Sequence, residues 1–241
     1  MLSFMFLAKF PSPRGRTRSY GGTTGLRQIV HAAVCSAALV AGAAVAVAHA
    51  EAPVRIVALG DSLTAGLGLP VREGFVPRLQ AALAAKGVAV EIANAGVSGD
   101  TASGGLARLD WSVPEGTDAV ILELGANDML RGIKPQVTRE ALDTILRRLT
   151  DRHIAVLLCG MRAAPNLGAD YAQSFESIHR ELATKYGTLL YPFFLDGVAG
   201  NLDLEQHDGV HPAAAGVDVI VDRMLPKVEE LIGRVRRQHP S

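Results

Sequence analysis

The sequence has little cysteine, and the little it has cannot pair. Cys35 lies in a segment expected to be removed, which leaves Cys159 alone in the body of the chain with no intramolecular disulfide to form. Cys159 closes the apolar run Ala155-Val156-Leu157-Leu158 and reads as a small buried hydrophobe. No H-E-x-x-H, no cysteine pair and no cluster of carboxylates stands at metal-ligand spacing. No Gly-Lys-Ser/Thr ending completes a phosphate-binding loop. Charge of either sign is also missing as an excess: 24 basic side chains face 24 acidic ones over 241 residues. That balance is uneven along the chain. Residues 1–50 contain no acidic residue and five basic ones, Lys9, Arg14, Arg16, Arg18 and Arg27, so 19 basic face 24 acidic from Glu51 onward, a net of −5. A mildly acidic body gives no electrostatic reason to expect nucleic acid as a partner.

What is present begins with a targeting segment. A basic region ends at Arg27, an Ala/Val-rich run covers residues 29–48, and Ala48-His49-Ala50 is a small-x-small cleavage signal. Residues 1–50 are therefore expected to be a signal peptide cleaved after Ala50, and the protein to be exported, periplasmic or secreted. The run is about 20 residues, long enough to span a membrane, but its alanine content makes it weakly apolar, and no stable membrane span is expected in the mature form. No Arg-Arg pair supports twin-arginine export, and Cys35 lacks the small residue before it that a lipoprotein site requires. Residues 51–241 fit one domain with one core, without repeats or internal linkers.

From Glu51 short apolar runs alternate with helical patterns. Strands are expected at Arg55–Leu59, Val88–Ala93, Ala119–Leu124, Ala155–Leu158 and Leu189–Tyr191. Helices are expected at Phe75–Lys86 before Gly87, at Thr101–Leu109, after Pro135, around Phe175, Ile178 and Leu182, and from near Pro212 with Val217, Ile220, Val221 and Met224 on one face. Pro226 should kink or break the last of these. Continuous apolar strands separated by amphipathic helices mean a parallel sheet covered on both faces. The expectation is an α/β fold, a three-layer α/β/α sandwich on a five-stranded parallel sheet, flavodoxin-like, with strand order 2-1-3-4-5. In such sheets ligands bind beyond the carboxyl ends of the strands.

Four polar blocks fall at those ends. After the first strand comes Gly60-Asp61-Ser62-Leu63-Thr64, whose serine alone reads as a helix cap or, with Gly66 and Gly68, as part of a phosphate cradle. After the second comes Asn94-Ala95-Gly96-Val97-Ser98-Gly99-Asp100-Thr101, where Gly99 is a turn glycine or an N–H donor open to close approach. After the third comes Gly125-Ala126-Asn127-Asp128, where Asn127 is an Asx-turn residue or a neutral amide donor. The fourth is Asp208-Gly209-Val210-His211-Pro212. A carboxylate and an imidazole three residues apart can face one point, the carboxylate holding one ring nitrogen while the other faces a nucleophile. Asp61, Asp100 and Asp128 read as loop or cap residues, His207 as an exposed loop residue, and His153, His179 and His239 as surface histidines.

Each block is weak alone; together and in this order they carry a resemblance. The chain resembles the SGNH hydrolases, the GDSL esterases and lipases, through G-D-S-L at 60–63, the glycine block around Gly99, G-x-N-D at 125–128 and D-x-x-H at 208–211. The runs N-A-G-V-S-G-D-T and L-E-L-G-A-N-D are most similar to the bacterial periplasmic thioesterase/lysophospholipase/arylesterase subgroup, with Ala126 where that subgroup often has glycine. The resemblance implies Ser62 as nucleophile, His211 as general base and then acid, Asp208 orienting His211, and an oxyanion hole from the Ser62 and Gly99 N–H groups and the Asn127 side chain. It implies two-step acyl transfer with no metal or organic cofactor, on a small-molecule acyl ester or thioester. An acyl groove is expected from Met129, Leu130 and Ile133 after the third strand and from Ala163, Ala164, Pro165 and Leu167 after the fourth. An acetylesterase acting on carbohydrate is the rival within that chemistry, and a non-catalytic flavodoxin-like binding module the rival outside it. The G-x-S-x-G elbow of α/β-hydrolases is absent.

Overall fold

A computed structural model describes residues 52–238; the expected signal peptide and His239 lie outside the described residues. The element order is β1 (Val54–Gly60), α1 (Ser62–Ala65), α2 (Phe75–Ala85), β2 (Val90–Gly96), α3 (Ala102–Ala107), α4 (Leu109–Ser112), β3 (Ala119–Glu123), α5 (Ala126–Leu130), α6 (Pro135–Asp151), β4 (Ala155–Cys159), α7 (Ala169–Tyr186), β5 (Leu189–Tyr191) and α8 (Ala214–Gln238). Short 3₁₀ turns at Val71–Glu73 and Pro165–Leu167 interrupt the loops.

All strand pairs are parallel and the order is β2-β1-β3-β4-β5. The apolar runs explain this. Every residue of β3 and β4 is buried, as a strand covered on both faces requires, whereas in β2 at the edge only Ile92 is. Helices α2 and α8 pack on each other over one face; α3, α6 and α7 pack over the other. α6 buries the stripe Thr138, Ala141, Leu142, Ile145, Leu146 and Leu149 at helical spacing, with Pro135 in its first turn, where a missing N–H is harmless. This is the three-layer sandwich expected from the sequence.

Two expectations need correction and one is narrowed. The Thr101–Leu109 helix is two shorter ones, because Arg108 leaves helical geometry to reach back into the loops; Thr101 caps the first, its side chain accepting from Gly104 N. Of the two outcomes expected at Pro226, a kink or a break, the break is absent: α8 runs from Ala214 to Gln238. The carbonyl that proline leaves without an N–H belongs to Asp222, four residues back and exposed. Burial of Val217, Ile220, Val221 and Met224 before the proline, and of Val228, Leu231, Ile232 and Val235 after it, holds both halves to the sheet. Burial of that size outweighs a proline cost of ~3 kcal/mol. Finally, His179 is not a surface residue. It is 2% exposed, packs edge-on against Phe175, and neither ring nitrogen has a well-aligned partner among the described residues.

Candidate active site

All four polar blocks meet beyond the carboxyl ends of the strands. β1 ends at Gly60, Asp61 caps α1 by accepting from Leu63 N at 3.0 Å, and Ser62 is the first residue of that helix. The turn is possible because β2 ends in Gly96: a Cβ there would lie 2.3 Å from the backbone N of Ala65. No acceptor among the described residues takes the Ser62 N–H or the Gly99 N–H. Gly99 has φ +85°, the left-handed region that glycine occupies without strain. Its carbonyl accepts from Arg131 Nη2 at 2.7 Å.

Ser62 Oγ lies 2.8 Å from His211 Nε2, and His211 Nδ1 lies 2.6 Å from Asp208 Oδ2. Asp208 Oδ1 also accepts the backbone N–H groups of His211 and Val210, both at 3.0 Å. These bonds from His211 backbone and ring and from Val210 lower the Asp208 carboxyl to about 2. An ionised carboxylate only accepts, so the imidazole proton sits on Nδ1. The Nε2 lone pair then faces the Ser62 hydroxyl, which donates to it. Ser62 is buried while Asp208 is half-exposed, so the triplet runs from the sheet edge outward to solvent.

Asn127 is in α5, placed by the left-handed Gly125 at the end of β3 (φ +116°). Its Nδ2 donates to Asp61 Oδ2 at 3.1 Å, which fixes the amide and leaves its second N–H for the cavity that Ser62, Gly99 and Asn127 line together. Asp128 points away from that cavity: it is buried, accepting from Ala102 N at 2.8 Å and Thr138 Oγ1 at 2.9 Å. His207 is exposed in the loop before His211.

The cavity has a volume of about 720 Å³ and its wall is mainly apolar. Met129, Leu130, Ala163, Ala164 and Pro165 line it. Ile133 and Leu167, expected there, do not. The Ile133 carbonyl accepts from Tyr171 Oη in α7, and its N–H donates to the Asp128 backbone carbonyl. Leu167 closes a 3₁₀ turn and packs against the core. Met161, two residues after β4, and Phe193 and Leu195 after β5 also line it, with Arg162 and Glu205 as charged members of the wall. The rule that placed the polar blocks at strand ends would have found Phe193 and Leu195, had it been applied to apolar residues as well.

Sequence reasoning also missed Arg108. Its Nη2 donates to Gly60 O at 2.8 Å, Nη1 to Ala95 O at 2.8 Å and Ser112 Oγ at 2.9 Å, and Nε to Asp100 Oδ2 at 2.6 Å. One guanidinium therefore ties the ends of β1 and β2 to the loop that carries Gly99. A lone arginine beside a helical pattern gives no signal of this. Nor does sequence suggest that Glu123, the last residue of β3, is fully buried with its carboxyl accepting from Thr64 Oγ1 at 2.8 Å.

A flavodoxin-like sheet with a serine, an imidazole and a carboxylate in line above its strand ends defines a serine hydrolase of the SGNH class. Residues 58–219 match the GDSL-like Lipase/Acylhydrolase family, and the chain belongs to that family and hydrolyses ester bonds. Esterase TesA of Pseudomonas aeruginosa is 38% identical over 178 residues, 73% of this chain and 89% of the relative. Thioesterase 1/protease 1/lysophospholipase L1 of Escherichia coli is 33% identical over 185 residues, 76% of this chain and 88% of the relative. Among solved structures, the SGNH-hydrolase family esterase AlinE4 is 45% identical with a TM-score of 0.63, over 75% of this chain and 96% of that one.

Proposed function

We propose that this serine esterase acts on aryl esters and short or medium acyl esters, with lysophospholipids and acyl thioesters in the same range, through an acyl-Ser62 intermediate. The observation that carries the reading is the 2.8 Å contact between Ser62 Oγ and His211 Nε2, with Asp208 behind the ring at 2.6 Å. A serine hydroxyl is a poor nucleophile until a base takes its proton as it attacks. As Oγ bonds to the acyl carbon, its proton passes to His211 Nε2 and the carbonyl electron pair moves onto oxygen. The Ser62 and Gly99 N–H groups and the Asn127 amide receive that oxyanion, each contributing on the order of 10²–10³ in rate. Collapse breaks the bond to the leaving alkoxide or thiolate, which takes the proton from His211. Water then attacks the acyl-serine with His211 again as base, releasing the acid and restoring Ser62.

The wall formed by Met129, Leu130, Met161, Phe193 and Leu195 supports an acyl chain or aryl ring over an acetylated sugar, which needs polar partners for its hydroxyls. A binding module does not need the Ser62–His211–Asp208 alignment. Residues 51–241 then form one catalytic domain. The basic region, apolar run and Ala48-His49-Ala50 of the leader support export. Among the described residues, no helix is long and apolar enough to cross a membrane.

The test is turnover of p-nitrophenyl butyrate together with labelling by a fluorophosphonate probe. Wild type does both, and Ser62→Ala does neither while retaining its thermal transition. Turnover or labelling that survives in Ser62→Ala refutes the assignment.

A further inference from the structure

Beneath the Ser62 turn lies an acid that the steps above do not use. Glu123 ends β3, the middle strand of the sheet, and is completely buried. Its Oε2 accepts from Thr64 Oγ1 at 2.8 Å and from the Asp61 N–H at 3.3 Å, residues on either side of Ser62 and Leu63. Among the described residues, its Oε1 meets no donor. The acid beside it is Asp61, also completely buried, whose Oδ1 accepts from Leu63 N and whose Oδ2 accepts from Asn127 Nδ2.

Among the described residues, no lysine or arginine offers its charge to either carboxyl. The titratable groups facing the pair are the Cys159 thiol, beside Glu123 on β4, and His211, which bears on Asp61 from the loop before α8. No lysine or arginine among the described residues forms an ion pair with Asp61 or Glu123. Two neighbouring carboxyls in a dry site with no lysine or arginine partner do not both ionise; one proton stays. The donor-free Oε1 marks where it sits. A hydroxyl there needs an acceptor, and the Asp61 carboxylate is the one at hand, already steadied by two N–H donors. Burial first, and then the Asp61 charge, raise the Glu123 carboxyl well above the usual range. Asp61 is raised too, but the N–H bonds from Leu63 and Asn127 work against its burial.

We propose that Glu123 is a positioning residue that stays protonated through the reaction, its carboxylic O–H donating to Asp61, and that Asp61 so held aims the Asn127 amide at the oxyanion. The inference rests on Asn127 being an oxyanion donor, as read above. A neutral Glu123 makes the Asp61 charge tolerable where it is. An ionised one would repel Asp61 and pull the Asn127 amide out of line.

Two variants and one spectrum test this. Glu123→Gln puts an N–H donor where the O–H stands and keeps an acceptor for Thr64; its kcat should stay within about threefold of wild type. Glu123→Ala leaves Asp61 without that donor; kcat should fall on the order of 10–100-fold, a step short of deleting an oxyanion donor, with KM within twofold. The infrared difference between wild type and Glu123→Gln at neutral pH should contain the carbonyl stretch of a buried protonated carboxylic acid. If Glu123→Ala does not fold, the spectrum and the glutamine variant decide. Absence of the protonated-acid band, a Glu123→Gln variant that loses 10-fold or more in kcat, or a folded Glu123→Ala with wild-type kcat overturns the proposal. The spectrum repeated in Ser62→Ala separates the two readings. The band persists there if Glu123 is protonated, whatever Ser62 does, and residual turnover of Ser62→Ala speaks only against the nucleophile.

Discussion

Removing the Arg108 guanidinium should damage activity more than it damages the fold. Arg108 makes four hydrogen bonds, to Gly60 O, Ala95 O, Ser112 Oγ and Asp100 Oδ2, and its ion pair with Asp100 is 14% and 19% exposed. In Arg108→Ala the Gly60 carbonyl keeps one partner, the Val97 N–H, but Asp100 is left as a half-dry charge without its cation. Hydrogen bonds to charged groups are worth roughly 1.5–3 kcal/mol each and are not additive within a cluster, and breaking a buried pair costs about 3–5 kcal/mol. Partial solvent access places the loss near the lower end, about 3 kcal/mol. At roughly 2–4 °C per kcal/mol for a domain of this size, thermal unfolding should fall by about 6–12 °C, leaving a folded enzyme at 25 °C. The loop that presents the Gly99 N–H would lose its tie to β1 at the same time. A displacement of about 1 Å in a catalytic group can cost on the order of 10²-fold, and that loss should appear in kcat against p-nitrophenyl butyrate. Arg108→Lys should recover little, since one ammonium cannot span Gly60 O, Ala95 O and Asp100 as the planar fork does. Circular dichroism melts beside steady-state kinetics read both effects. If Arg108→Ala melts within 2 °C of wild type and turns over within twofold, the clamp has no part in the site.

Two further substitutions test the electrostatics. Asp208→Asn should lower kcat by on the order of 10²–10⁴, because an amide N–H facing Nδ1 favours the tautomer whose Nε2 no longer accepts from Ser62. Asp208 itself titrates at about 2, below its ordinary 3.8, so its contribution to stability is complete above 3.8 and is lost as pH falls through about 2. An acid limb of activity near pH 4 that vanishes in Asp208→Asn would contradict this. His179 is the second case: burial lowers it from 6.5 to about 4, so between those values the unfolded chain binds a proton that the folded one refuses. Stability should fall as pH drops through that window, by about 2 kcal/mol between pH 7 and 5. His179→Leu should remove that slope from urea midpoints; an unchanged slope would show that the ring is not the group responsible.

The central strands β3 and β4 were legible as apolar runs in which every residue is buried, whereas the edge strand β2, expected at Val88–Ala93, holds Glu91 and Asn94 and runs later, from Val90 to Gly96. Three of the polar blocks were legible because they sit at the ends of strands; the fourth, Asp208–His211, stands 17 residues beyond Tyr191 and was legible from the three-residue spacing of its carboxylate and imidazole. Other features were hidden for one reason: their partners are far away in sequence. Arg108 reaches Gly60 48 residues back and Glu123 meets Thr64 59 residues back. His179 is buried under Gly125, where a Cβ would stand 3.8 Å from its Nε2, though its helix reads as ordinarily amphipathic. Leu167 misled because an apolar loop residue can as easily pack against the core as on a ligand. Pro226 does not break α8 because local propensity costs a few kcal/mol and a long buried stripe on both sides supplies more.

The contrast between Glu123 and the strand that carries it bears on what the site is for. Four of the five residues of β3 are apolar and buried, and the fifth is a carboxyl with one oxygen lacking a donor. For stability alone an apolar residue would serve better there, since burying an unpaired acid is costly and replacing buried ionic groups by hydrophobes is often stabilising. The sign of the linkage says the same. Asp61 and Glu123 are raised by burial above their ordinary 3.8 and 4.5, so the pair's contribution is most favourable below those values and is lost as pH rises through the folded-state titrations. At neutral pH the fold therefore carries these two acids at a disadvantage, directly under the turn that presents Ser62. A packing account leaves that location unexplained. An account in which the acids hold Asn127 and the Ser62 turn rigid explains both their burial and their position at the carboxyl ends of β1 and β3.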